Sequence, residues 1–252
     1  MYVDVVDLRA FYAERLGGVA RRLIGNHIKA FWPDVRDSRI LGMGYATPYL
    51  PMFAEAERLL AFMPAAQGVV NWPTQGPNAV ALVLEDELPL PDSSIDRVLA
   101  VHSLEMAQNV HDLLREIWRV LAPGGRLIAV VPNRRGIWAR VESTPFGYGS
   151  PFSRGQLNAL FRDTLFSPSG WADALSMPPI NRRMLYRTGA AWERFGAALW
   201  PGFAGIIVVE ATKQLYQGIP ARAKSRSRRL APVLRPALIP PGRTALNKER
   251  VS

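Results

Sequence analysis

An α/β fold wound around a mostly parallel sheet is what this sequence predicts, and three observations carry the prediction. Short β-type runs alternate with stretches of helical periodicity across most of the chain. Nearly half of the 252 residues are apolar, enough to bury one full core. A strong apolar run near residues 203–214 comes after the last crossover and predicts an antiparallel hairpin at the end of the sheet.

Taken in order, Leu8, Phe11, Leu16, Val19, Leu23, Ile24, Ile28 and Phe31 recur at helical spacing and predict one long helix over 8–31, ending near Pro33. A strand over 39–43 follows, then a glycine-containing turn and a helix over 49–58. Strands are predicted over 59–63, 79–84 and 96–101, with the Pro/Gly-rich loop 71–78 between the first two. A helix over 110–121, a strand over 126–131 and a helix over 153–165 continue the alternation. Residues 171–177 fit a strand or a short helix, and 184–200 show helical periodicity interrupted by Gly189 and Gly196. The divisions that follow are an N-terminal helical extension over 1–36, a catalytic-size α/β domain over 37–217 and a basic tail over 218–252.

Composition excludes several chemistries. There is no cysteine, so disulfides, thiolate metal sites and cysteine nucleophiles are ruled out and no metal site is expected. The first residues lack a basic segment followed by an apolar one, and no apolar run is long enough to cross a bilayer as a helix, so a cytoplasmic protein is expected. The net charge is +10, and from residue 221 onward nine Lys or Arg stand against the single acid Glu249. Most of the charge therefore lies in a Pro-containing tail that reads as disordered, and any contact with nucleic acid or an acidic surface is expected through that tail alone.

Two places invite a ligand. The turn after the first strand carries Gly42 and Gly44 but has Ala46 and Pro48 where further glycines would stand, so a dinucleotide fingerprint fails. The segment LEDELPLPDSSIDRVLAVHSLEMAQNVHDLLREIWRVLAPGGRLIAVVPN, residues 84–133, is more specific. It resembles the class I S-adenosylmethionine-dependent methyltransferases, in the type 11 group. The residues that carry the resemblance are Glu85, Asp86, Leu88 to Pro91, Ile95, Asp96, Leu104, Glu105, Glu116, Arg119 to Leu121, Pro123 to Gly125, Pro132 and Asn133. With the weaker first motif and the final hairpin, it covers residues 40–214.

The resemblance implies a Rossmann-like, doubly wound, seven-stranded sheet, S-adenosyl-L-methionine as cofactor and methyl transfer to a small-molecule or lipid-like acceptor. It implies a cofactor turn at Gly42, Gly44, Tyr45 and Ala46, where backbone N–H groups at a helix start would meet the methionine carboxylate. The backbone at Gly44 would then approach the cofactor too closely for a side chain. Glu85 or Asp86, just beyond a strand's carboxyl end, would accept a hydrogen bond from the adenine amino group. The chain departs from the family at both acids of the cofactor site. Gly42 replaces the first, and Phe62 or Met63 stands where the ribose-binding acid belongs, with Gln67 the nearest polar substitute. A lost charge-assisted bond of that kind costs about 1.5–3 kcal/mol.

Methyl transfer needs positioning more than side-chain chemistry, because the sulfonium is an activated leaving group. Candidates for a base are His102, which also borders the cofactor site, and Tyr148 in the loop 145–153, while Asn133 would orient the acceptor. A capping histidine and an ordinary loop tyrosine are the structural alternatives. A second functional reading is a catalytically silent methyltransferase fold that binds or regulates a partner, for which the substituted first motif argues. Neither the oligomeric state nor the identity of the acceptor is legible.

Overall fold

The apolar runs assemble into seven strands, β1 Arg39–Gly44, β2 Arg58–Pro64, β3 Val80–Val83, β4 Ile95–Val101, β5 Leu121–Pro132, β6 Phe166–Ala174 and β7 Ile206–Lys213. The structure is a computed structural model and describes residues 3–179 and 204–215, which belong to one compact unit. The helix expected over 184–200 and the tail over 218–252 lie outside the described residues. The strands form one sheet in the order β3-β2-β1-β4-β5-β7-β6. The pairings from β3 to β5 are parallel, and β7 runs antiparallel to both β5 and β6. This is the doubly wound, mostly parallel sheet with an antiparallel end that the sequence predicts.

Both faces of the sheet are covered, so its central strands are apolar without alternation. One face takes α1 Val5–Ala13 and α2 Arg15–Phe31, whose Leu8, Ile24 and Ile28 pack with Ile40, Leu99 and Val208. The other takes α3 Val110–Val120 and α4 Arg154–Asp163, whose Leu113, Ile117 and Phe161 pack with Leu41, Val98 and Val209. Asn109 caps α3 through its side chain, and Ser153 with Gln156 forms a capping box on α4.

The run from Glu116 to Gly125 builds scaffold. Glu116 accepts the Leu88 N–H at 2.9 Å, and Arg119 donates to the carbonyls of Leu88 and Leu90, pinning the 88–92 loop to α3. Asp92 and Glu116 flank the same guanidinium at 2.7 and 2.8 Å.

Two expectations are corrected. The single helix over 8–31 is two, because Glu14 is extended (φ −76°, ψ 164°) and its N–H closes α1 on Ala10 and Phe11. A Cβ at Gly17 would stand 2.0 Å from the Phe11 carbonyl oxygen, so the turn of α2 against α1 needs a glycine there. The helix over 49–58 is reduced to a 3-10 turn at Leu50–Phe53. Pro51 lies in the first turn, where its missing N–H has no intrahelical partner, and the helical hydrogen bonding ends at Phe53. Residues 171–177, for which the sequence left strand and helix open, contribute to β6 as far as Ala174.

The strand order reverses between β1 and β4. A crevice outside the carboxyl ends of those strands is where a sheet of this kind takes a ligand.

Candidate active site

β1 ends at Gly44 in a left-handed conformation (φ +74°), and Tyr45 donates its N–H to Val101 at the end of β4, 2.8 Å away. β4 leaves the sheet through His102, also left-handed (φ +49°). A non-glycine residue there carries backbone strain, a feature that gathers at functional sites. The chain then turns on Ser103, whose carbonyl accepts the N–H groups of Met106 and Ala107. This turn delivers Glu105 back beneath the imidazole. Gly149 (φ +75°) allows the 145–150 loop to close over it, since a Cβ would stand 2.4 Å from the Glu105 carbonyl oxygen.

The result is a buried polar chain. His102 Nδ1 lies 3.3 Å from Glu105 Oε1, and both side chains have no exposed surface. His102 Nε2 lies 3.0 Å from the hydroxyl of Tyr12 on α1, which in turn lies 3.2 Å from the hydroxyl of Tyr49. A carboxylate only accepts, so an attractive contact places the imidazole proton on Nδ1 and leaves Nε2 to accept from Tyr12. Rings enclose the chain, with His102 4.6 Å from Phe146 and Tyr12 5.6 Å from Tyr45, centroid to centroid. Burial, reinforced by Tyr49 and Glu105, raises the Tyr12 phenol well above its usual pKa, and burial raises Tyr49 and Tyr45 as well. All three stay neutral at ordinary pH.

Several polar atoms around this chain lack hydrogen-bond partners among the described residues. They are Gln67 Oε1, Ser103 Oγ, His102 Nδ1 and both carboxylate oxygens of Glu105, the last two groups facing each other outside hydrogen-bond geometry. Buried unsatisfied groups cost about 1–3 kcal/mol each, more when charged, and their clustering in one crevice marks a place built for a polar ligand.

The residues named from sequence are scattered over five places. Gly44, Tyr45, Gln67 and His102 meet at the crevice, where Gln67 donates to the His102 carbonyl at 3.3 Å. Gly42 lies inside β1 and makes room for Ala46, since a Cβ on Gly42 would stand 2.9 Å from that of Ala46. Glu85 and Asp86 border a separate cavity of about 220 Å³ with Pro64, Ala66, Gln108 and Asp112. Tyr148 lines another, of about 550 Å³, with Val3, Asp7 and Phe11. Asn133 is committed to backbone, donating to Ala204 at 2.8 Å and accepting from Arg135 at 3.1 Å, so its amide ties β5 to the chain before β7. The close approach foreseen at Gly44 also differs in kind. A Cβ there would meet the Val101 and His102 carbonyl oxygens at 2.4 and 2.8 Å, so β4 itself demands the glycine.

Tyr12, Tyr49 and Glu105 were not expected at the site. The one signal in the sequence is the spacing from His102 to Glu105, an acid three residues after a histidine at a strand's end.

Comparison with known proteins finds a match over the segment that builds the crevice. The model of a family described as a methyltransferase domain matches residues 41–129, which contain most of β1, all of β4 and the whole His102–Glu105 turn. Over that segment the chain is similar to the class I S-adenosylmethionine-dependent methyltransferases. A demethylmenaquinone methyltransferase of Listeria welshimeri is 37% identical over 67 residues, 26% of this chain and 28% of that protein. A probable S-adenosylmethionine-dependent methyltransferase of Mycolicibacterium smegmatis is 34% identical over 85 residues, 34% of this chain and 32% of that one. The chain thus spans about a third or less of these curated relatives. The fold is that of an S-adenosylmethionine-dependent methyltransferase of Thermotoga maritima, described as a possible histamine N-methyltransferase. The TM-score is 0.57 at 17% identity, covering 83% of this chain and 96% of that one.

S-adenosylmethionine is the cofactor of the family that this segment resembles, and the crevice can be tested for its fit. The unsatisfied atoms of Gln67, Ser103 and Glu105 provide polar partners at the crevice, and the Glu85–Asp86 cavity provides a carboxylate-lined recess beyond β3. Tyr12, held on His102, packs at the crevice against Tyr45 and Tyr49. These unsatisfied polar atoms suit a polar ligand such as the cofactor, while Tyr12 occupies His102 Nε2. Among the described residues no group of three His, Cys, Asp or Glu could hold a metal, and no helix is long and apolar enough to cross a membrane.

Proposed function

We propose that this chain transfers a methyl group from S-adenosylmethionine to a small, lipid-like acceptor, with His102 as the base and Glu105 as the residue that orients it. The observation that carries this reading is the Glu105–His102–Tyr12 chain at the carboxyl end of β4. The cofactor supplies an activated methyl group. Glu85 or Asp86 would hold its adenine end, Gln67 its ribose and the backbone from Gly44 to Thr47 its carboxylate. With α1 drawn back, His102 Nε2 is the acceptor left at the crevice for a proton leaving the methyl acceptor, and the Glu105 carboxylate stabilises the imidazolium that forms. The cavity bordered by Phe11 and Tyr148 offers the acceptor an apolar wall. The partial likeness to demethylmenaquinone methyltransferases supports a lipid-like acceptor.

One observation favours the second reading, a silent fold that binds a partner. Tyr12, Tyr45 and Tyr49 fill the crevice above β1 as a packed core would.

Incubation of the full chain with methyl-labelled S-adenosylmethionine and demethylmenaquinol tests the proposal. His102→Gln is expected to keep cofactor binding and to lose transfer by about a hundredfold or more, the usual worth of a general base. Transfer by His102→Gln at the wild-type rate would remove His102 from the mechanism.

A further inference from the structure

A groove of about 1000 Å³ lies along the outer side of α2 and shares no lining residue with the crevice around His102. Its opposite wall is Pro48, Pro51 and Met52, from the crossover between β1 and β2. It exists because that crossover holds one 3-10 turn where a full helix was expected, which leaves the flank of α2 uncovered.

Its lining is cationic above and apolar below. Arg15, Arg22 and Lys29 recur every seven residues along α2, a single stripe with about 10.5 Å between successive members, and Arg21 stands beside it. Lys29 is paired with Glu55 at 2.8 Å. Arg15, Arg21 and Arg22 have no acidic partner within ion-pair distance among the described residues. Val19, Pro48 and Met52 supply the apolar part.

Gly18 supplies a second, independent indication. It sits in the interior of α2, where glycine costs roughly 0.5–1 kcal/mol relative to alanine. Packing does not require it, because nothing lies within 4 Å of where its Cβ would be, and its backbone is not left-handed. A side chain there would project into the groove. Gly17, one residue earlier, is demanded by contact with α1, so the two adjacent glycines have different reasons to exist.

We propose that this groove binds an amphiphilic phosphoryl compound, with its phosphate on the guanidinium groups of Arg15, Arg21 and Arg22 and its apolar body along Val19, Pro48 and Met52. Guanidinium forks match phosphate oxygens two at a time, and more than one fork suits a dianion better than a carboxylate. A volume of about 1000 Å³ lies at the upper end of small-ligand sites, so a single molecule fills it without a protein partner. The proposal is independent of methyl transfer.

Titration of the full chain with dodecyl phosphate below its micellar concentration, with inorganic phosphate as control, tests it. Dodecyl phosphate is expected to bind at least about tenfold more tightly than inorganic phosphate, because only the former reaches the apolar wall. Arg15→Gln with Arg22→Gln is expected to weaken it at least about tenfold. Gly18→Leu, which keeps every charge and improves helix propensity, is expected to weaken it as much while thermal stability holds or rises. Equal binding of the two phosphates, undiminished binding by Gly18→Leu, or no binding of dodecyl phosphate would each overturn the proposal. Vesicles of phosphatidylglycerol separate the two sources of the phosphate. Capture lost in Gly18→Leu identifies a lipid headgroup, whereas capture kept while dodecyl phosphate binding is lost identifies a free phosphorylated molecule.

Discussion

The hydroxyl of Tyr12 and Nε2 of His102 lie 3.0 Å apart although ninety residues separate them in the chain. This contact closes α1 over the carboxyl ends of β1 and β4. It joins the residue read here as the base to a phenol that occupies its proton-accepting nitrogen. Conservative removal of that hydroxyl is therefore expected to cost stability. Tyr12→Phe leaves His102 Nε2 and the Tyr49 hydroxyl short of a buried partner, at about 1–3 kcal/mol. Denaturant titration should show a lower midpoint at unchanged slope.

Alkaline pH acts on the same contact. The Tyr12 and Tyr49 phenols are raised on folding, chiefly by burial, so the folded form retains protons that the unfolded chain releases above about pH 10. The stability they contribute is whole below that pH and is lost as pH rises through the folded values. Melting temperatures between pH 8 and pH 11 should fall steeply above about pH 10, and Tyr12→Phe should fall less steeply. Parallel curves for the two proteins would contradict the assignment.

Two glycines with nearly the same dihedral separate strain from crowding. Gly44 (φ +74°) faces the Val101 carbonyl oxygen at 2.4 Å, while Gly124 (φ +71°) has nothing within 4 Å of a Cβ position. Gly124→Ala is expected to cost about 1–2 kcal/mol, the left-handed penalty alone. Gly44→Ala is expected to cost more, because the end of β4 must also move. Equal losses on chemical denaturation would show that β4 yields freely at that point.

How much of this was legible in the sequence follows from the range of the interactions. β1, β4, α3 and β5 were legible because apolar patterning is a local signal. The break at Glu14 was not, since it depends on Gly17 meeting Phe11 across a turn. The short turn at Leu50–Phe53 was hidden because residues 49–58 hold good helix formers whatever length of helix they finally build. At the site, His102 was visible as a polar residue ending an apolar strand. Tyr12 was not, because on α1 it reads as one more position of an amphipathic helix. Glu105 was read as part of a motif, and its role is set by the left-handed turn at His102 that places it beneath the ring.

The loop that Arg119 holds gives a prediction in the acid range. The hydrogen bonds from Arg119, followed by the Leu88 N–H, hold the Glu116 carboxyl below its usual pKa, although burial opposes them. The stability Glu116 contributes is present above the usual glutamate value near pH 4.5 and is lost as pH falls through its depressed folded value. Arg119→Ala should weaken that acid-range dependence and cost about 2–4 kcal/mol at neutral pH, because two loop carbonyls lose their donor and Glu116 is left with the Leu88 N–H. Melting curves from pH 3 to pH 7 for both proteins check it.

The central claim is that the crevice closed by Tyr12 is the cofactor site. Calorimetric titration of S-adenosylmethionine into the wild-type chain and into folded Tyr12→Ala tests it most directly. Freed of the contact with His102, Tyr12→Ala is expected to bind the cofactor at least about tenfold more tightly, the equivalent of roughly one hydrogen-bond contact removed from the competing closed form. Equal affinities in the two proteins would place the cofactor elsewhere, and no binding by either at millimolar concentration would favour the silent fold.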